Sequence, residues 1–423
     1  MNFLVRLLSL ALFACLSPWA AAAPDNDELA SLVNRVVETH PEVRSARARL
    51  KAAETDVNAS KLARLPSLTV ESFSDSNAKN GVSSSIALEQ PVWAGGRISA
   101  GITYAKALVE VARAGVDEAS LNVALRSSDA YVEYLRLNSL AKILSEGVEQ
   151  HQRLVDSIKR RVEQQVSPSS DLDYAVQRLL SIQQDEMQNR IGIQLALSRL
   201  RELAGDQDLS LNGWLHYSSD ELKVRTDNLL RAAIDYDPTE RRLRAEINAA
   251  QAETAVRKGQ VWPQLNAQAL HYAGGGYSGL KDRIGLVLRL QTDGGFGRLA
   301  AVRASAQREE SARAAAEAGV RDLREKVVAD LSDYSAAAAR LDAGRSAVMA
   351  ALTVTESYLR QFTAGRRTWP EVLNVVREEV TARSNEVNVQ ANALAAGLRL
   401  QLRAGQWRPG ESLTSAATKE ILP

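Results

Sequence analysis

The chain has 423 residues, 45% of them hydrophobic, with 52 basic against 51 acidic side chains and a net charge of +1. A surface so balanced has no global field to draw nucleic acid. One cysteine, Cys15, and four scattered histidines (His40, His151, His216 and His271) leave no disulfide framework and no metal-ligand spacing.

The first residues, MNFLVRLLSLALFACLSPWAAAAP, place Arg6 before an apolar stretch from Leu7 to Leu16 and a run of small residues from Ala20 to Ala23. This is the pattern of a secretory leader, with cleavage after Ala22. Leu12 to Cys15 loosely resembles a lipoprotein box, but Phe13 is bulky for its position, so Cys15 is expected to leave with the leader. Beyond it, no apolar run approaches the ~20 residues of a membrane helix. Any passage through a membrane must therefore use strands.

The rest is a tandem duplication. HPEVRSARARLKAAETDVNASKLARLPSL (40–68) is echoed by DPTERRLRAEINAAQAETAVRKGQVWPQL (237–265), and the spacing of Pro41 and Pro66 equals that of Pro238 and Pro263. The spacings assign 23–216 to a first repeat, 217–405 to a second and 406–423 to a loosely ordered tail.

Each repeat begins with a helix opened by cap residues, an early proline and an early acid, and closed before its second proline. The period then changes. Segments 66–74 and 82–93 alternate apolar and polar residues (Leu68, Val70; Ile86, Leu88, Val92), as do 263–273 and 283–292. Each repeat thus supplies one β-hairpin, giving four strands per chain.

Glycine-marked bends follow, AGGR (94–97) and DGGFGR (293–298), and these lack the context of a phosphate-binding loop. From Ile98 to Val166 there is no proline. As one helix that stretch would run about 100 Å at ~1.5 Å per residue. Leu137, Leu144, His151 and Ile158, with Ala141, Val148, Val155 and Val162, form a heptad seam. Leu341, Val348, Thr355 and Phe362, with Leu331, Ala338, Leu352 and Leu359, repeat it more loosely. Each long helix then turns, and a return helix runs to Gly205 or Gly405.

The turns interrupt the helices at QVSPSSD (165–171) and GRRTWPEVL (365–373). Thr368, with Pro370 in the first turn and Glu371 at the third position, reads as a capping box. Ser167, Pro168 and Asp171 start the other return helix in the same manner. Trp93 and Trp262 stand where strands join helices. Two roles fit them, a girdle at the membrane interface or packing at the junction.

Four amphipathic strands cannot close a membrane barrel, whose smallest examples have about eight. Open edges in lipid are too costly, so several chains must share one barrel. Two copies give eight strands and a filled interior; three give twelve and room for a lumen.

The duplicated helix-hairpin-long-helix plan, LEQPVWAGGR (88–97) and GRRTWPEVLN (365–374) together resemble the TolC-type outer-membrane efflux proteins over the whole chain beyond the leader. The resemblance implies a mainly α fold with a membrane β-barrel. Duplicated long-helix hairpins would form a trimeric α-barrel tunnel, and two β-hairpins per chain a shared twelve-stranded barrel. It further implies a homotrimer in the outer membrane of a Gram-negative bacterium, projecting through the periplasm to a periplasmic adaptor and an inner-membrane transporter of ABC or RND type.

By the same resemblance the two turns are the periplasmic tips, and an arginine with acidic groups helps to hold the entrance shut. The matching positions are Phe362, Arg367 and Glu371, with Asn374 where an acid is expected, a departure from a two-carboxylate constriction. Gly365, Arg366 and Thr368, with Ser167, Pro168 and Asp171, would face the adaptor. Adaptor engagement would draw the second helix pair outward in an iris-like opening.

No nucleophile, acid–base pair or metal cluster assembles into an enzyme site, and no cofactor is expected. GRRTWPEVLN resembles type I protein secretion components a little more than drug-efflux components, which implies protein secretion as the expected role. Small-molecule efflux is the alternative, and a periplasmic coiled-coil adaptor or scaffold is the rival of another class.

Overall fold

The structure, a computed structural model, describes residues 26–74, 82–211, 213–215, 228–274, 282–291 and 296–409. The expected leader with Cys15, His216, Gly275, Gly276, Gly294, Gly295 and residues 410–423 lie outside these.

The elements are α1 (Asn26–Thr39), α2 (Pro41–Leu62), β1 (Ser67–Ser74), β2 (Val82–Trp93), α3 (Arg97–Glu163), α4 (Ser169–Ala204), α5 (Leu229–Tyr236), α6 (Pro238–Val261), β3 (Gln264–Gly274), β4 (Arg283–Arg289), α7 (Gly297–Thr363) and α8 (Trp369–Arg403). The order of helices and strands is the same in both halves. The expected starts are present: His40 accepts the Glu42 N–H on its ring at 3.2 Å, Asp237 accepts the Thr239 N–H at 2.7 Å, and a proline opens each helix.

The strands form one antiparallel sheet in the order β1-β2-β3-β4. Its register explains the alternation seen in the sequence. Leu68 lies opposite Leu88, Val70 opposite Ile86, and Leu265 opposite Leu288, so one face is apolar and exposed. The opposite face carries Glu89, Gln268 and Arg289. Gln268 Nε2 donates to Glu89 at 2.6 Å, and the Arg289 guanidinium crosses β3 to the same carboxylate at 2.6 and 2.9 Å.

Below the sheet the helices stand in a row. Near it the neighbours run α2, α3, α6, α7; towards the far tips they run α4, α3, α8, α7. The 67-residue helices α3 and α7 are continuous through both levels, each about 100 Å long. The heptad seam of α3 is buried at His151, Val155 and Ile158. On α7 the series Leu341, Val348, Thr355 and Phe362 is buried, whereas Leu352 of the second series is exposed. The row explains this: α7 is its last helix and only one of its flanks is covered.

Two short helices were not anticipated. α1 presents Leu29, Leu32, Val33, Val36 and Val37 to α3 and to the end of α4, and α5 buries Leu229 and Ala233 against α7 and the end of α8. They fill the breaks in the row where α4 and α8 stop and α2 and α6 begin. In this belt Arg399 of α8 joins Asp129 of α3 at 3.2 Å to Asp330 of α7 at 2.9 Å. The expectation of a loose tail beyond Gly405 is corrected at its first residues, because Trp407 is 0% exposed in the belt core. An indole can bury that much surface only by ordering the chain on either side of it.

Among the described residues, no helix is long and apolar enough to cross a membrane.

Candidate functional site

The site is built from the two turns at the end of the row farthest from the sheet. The α3–α4 turn passes through Gln165 at φ 59° and the α7–α8 turn through Gly365 at φ 71°. The chain reverses at both with left-handed backbone, and the turns lie side by side over a shared apolar core. Leu154, Ile158, Leu179 and Ile182 of the first hairpin meet Phe362, Val372, Leu373 and Val376 of the second. Gly147 admits this approach, since a Cβ there would stand 2.6 Å from Ile182 Cδ1 and 3.0 Å from Val380 Cγ2.

The capping box at the start of α8 forms as the sequence indicates, with Thr368 N–H and Oγ1 donating to Glu371 Oε2 at 2.9 and 2.8 Å. These two bonds, then the Arg367 guanidinium, hold the Glu371 carboxyl at a pKa of about 2. Arg367 is engaged within its own chain. It donates to Glu371 Oε1 at 2.7 Å and to Gln361 Oε1 at 3.1 Å, and lies 4.4 Å from the centre of the Tyr358 ring.

Phe362 is buried, with the Arg161 guanidinium 5.5 Å from its ring centre, while Asn374, Gly365, Arg366, Thr368 and Pro168 are exposed. Of the residues expected at an entrance, the structure thus joins Arg367 and Glu371, and it adds Thr368 of the expected docking tip to the same cluster. Phe362 sits in the core beneath the turns.

The start of α4 differs from the expected cap. Asp171 and Glu371 occupy the same position, third in their helices, but the N-cap of α4 is Pro168 and makes no side-chain cap bond. Proline has no N–H for an acid to cap. Asp171 instead accepts the Trp369 indole N–H at 2.8 Å across the two hairpins. Tyr174 meets the Trp369 ring edge-on at 5.5 Å, and Arg178 donates to the Tyr174 hydroxyl at 2.7 Å. Sequence reasoning missed this clasp of Asp171, Trp369, Tyr174 and Arg178. Its one signal was an acid at the third helical position behind a proline that cannot use it.

His151 lies one helical turn below Gly147, whose carbonyl oxygen is 2.8 Å from its Nδ1, and burial pushes its pKa down.

At the opposite end, Trp93 and Trp262 remain 46% and 58% exposed beside the sheet. Gly95 (φ 55°) is forced by Trp262, because a Cβ would lie 2.4 Å from the Trp262 Cβ. The junction therefore packs on the stem of Trp262 while leaving much of the side chain exposed.

Residues 32–206 match the outer membrane efflux protein family. No curated protein matches the sequence at a significant level. Among solved structures, the chain is similar to the outer-membrane channel OprN, with TM-score 0.78 and 19% identity over 89% of each chain. It is similar also to the outer membrane protein VceC from Vibrio cholerae, with TM-score 0.76 and 18% identity over 89% of this chain and 96% of that one. The CmeC outer membrane channel of Campylobacter jejuni matches with TM-score 0.77 and 12% identity over 93% and 89%. At such identities the likeness is one of fold. Residues 32–206 thus match the outer membrane efflux protein family, and the fold of the chain as a whole is similar to that of the outer-membrane channels.

Proposed function

We propose that the chain is one of three identical subunits of an outer-membrane exit duct, which passes cargo outward from an inner-membrane transporter and a periplasmic adaptor. The observation that carries this reading is the pair of open edges. β1 and β4 are the outer strands of a sheet with one apolar and one polar face. Each unsatisfied backbone group in lipid costs several kcal/mol, so neighbouring copies must pair these edges.

The helical row ends in the same way. α4 exposes Leu180, Met187, Ile191 and Leu195, and α7 exposes Met349, Leu352 and Val354. One edge of a copy meeting the other edge of the next is a head-to-tail contact, which closes as a ring. Three copies give twelve strands and a lumen lined by the polar face, and the apolar face meets lipid. That exposed apolar face is also what disfavours a soluble periplasmic adaptor or scaffold. Trp93 and Trp262 then stand at the periplasmic membrane interface.

The tips are the periplasmic entrance and adaptor-docking end. Gly365, Arg366, Thr368, Ser167, Pro168 and Asp171 form the docking surface, and Arg367 and Glu371 belong to the gate, with Phe362 packed beneath it and Asn374 on its exposed flank. For cargo, GRRTWPEVLN favours type I protein secretion. The efflux description of the family supports a second reading, small-molecule export. Electron microscopy of the detergent-extracted protein tests the duct: a threefold particle with a short barrel and a tube of about 100 Å is expected, and a soluble monomer overturns it. Deletion separates the cargo readings, since loss of a secreted protein from the medium favours secretion and greater susceptibility to small toxic compounds favours efflux.

A further inference from the structure

The four junctions between sheet and helices lie along one rim. The Gln90 side chain donates to the Arg64 carbonyl at 2.9 Å, Gly95 packs on Trp262, and Arg298 donates to the Gln260 carbonyl at 2.6 Å. These contacts order the rim from α2–β1 through β2–α3 and α6–β3 to β4–α7. Apolar side chains stand out at both ends. Leu62 and Leu65 are 61% and 57% exposed at the first junction; Phe296 is 70% exposed at the last, with Leu299 beside it.

Phe296 is also in an unfavourable backbone state. It is the N-cap of α7 at φ 64°, in the left-handed region that a bulky side chain avoids. The corresponding N-cap of α3 is Gly96, at φ 82°. The second repeat keeps a conformation suited to glycine yet fills it with a phenyl group held away from its own chain. A single subunit gains little from that arrangement, because the ring remains largely in solvent.

We infer that Phe296 is an intersubunit knob whose ring seats on Leu62 and Leu65 of the adjacent copy of this chain. The inference rests on the ring reading above: pairing β4 of one copy with β1 of the next brings the two ends of the rim together. Leu65 lies just before β1 and Phe296 follows β4 at the same rim, so edge pairing delivers the phenyl to the two leucines. Strand pairing alone would leave the rim junction open, and the knob closes it.

The test uses the full-length protein in outer membranes, where Cys15 is the sole native cysteine and lies in the expected leader. F296C is combined with L65C, and separately with L62C, and the membranes are oxidised. Most chains of at least one pair are expected to shift to covalent dimers and trimers on denaturing gels, while each single variant stays monomeric. F296G, which mimics Gly96 and relieves the backbone, is expected to fold and to form trimers that dissociate at a lower temperature than wild type. Native mass spectrometry of the wild type separates the two readings. Absence of a trimer removes the ring and the knob together. A trimer without cross-links, or F296G trimers as heat-resistant as wild type, overturns the knob alone, as does complete reaction of F296C in trimers with a lipid-soluble maleimide.

Discussion

Replacing Trp369 by Phe removes the indole donor to Asp171 while retaining an aromatic ring in the tip core. A hydrogen bond to a charged acceptor contributes ~1.5 to 3 kcal/mol when well shielded, and partial exposure of both partners lowers this to about 1 kcal/mol. The bond joins residues 198 apart and ties the α3–α4 tip to the α7–α8 tip, so outward movement of either hairpin must break it. In a concerted opening of three subunits the loss sums to about 3 kcal/mol, which shifts the closed-to-open ratio on the order of 100-fold. Single-channel recording in planar bilayers reads the change as a higher open probability or conductance. D171N, whose amide oxygen can still accept the indole N–H but without the charge, is expected to act in the same direction and more weakly, and D171N/W369F to add little to W369F, because both act on one bond. The clasp reasoning is refuted if W369F gates as wild type does, or if the two substitutions add in full.

Arg367→Ala is expected to raise single-channel conductance by releasing the turn that Glu371, Gln361 and Tyr358 hold through it; unchanged conductance would remove Arg367 from the gate. Thr368→Ala deletes the N-cap of α8 and is expected to cost about 1 kcal/mol, seen as lower protection of the first turn in hydrogen exchange. Glu371 has a folded pKa of about 2 against an ordinary 4.5, so its stabilising effect is complete above pH 4.5 and lost as pH falls from there to about 2. The difference in melting temperature between wild type and E371Q should therefore stay constant from pH 8 to about 5 and shrink only below that. Trp407→Ala should cost ~3 to 5 kcal/mol and loosen the belt, measured by thermal unfolding; a loss below about 1 kcal/mol would contradict its burial.

Much of the architecture is determined by the sequence alone, because its periodicities are local. Alternation at Leu68 and Val70 and at Ile86 and Leu88 specifies strands with one apolar face, and the proline-free heptads of α3 and α7 specify helices of uncommon length. The equal proline spacings specify that this plan occurs twice. α1 carries the same kind of local signal, with Leu29, Leu32, Val33 and Val36 in a helical repeat, yet it was not anticipated because no second proline frames it as one frames α2 and α6. The tertiary structure alone decided how the two copies meet. It buried Trp407 in the belt and closed Arg367 onto its own chain. It also sent Asp171 to Trp369 instead of its own helix start. A heptad or a capping box depends on residues a few positions apart, whereas the clasp depends on two hairpins that lie side by side only after α4, α3, α8 and α7 have packed into one row.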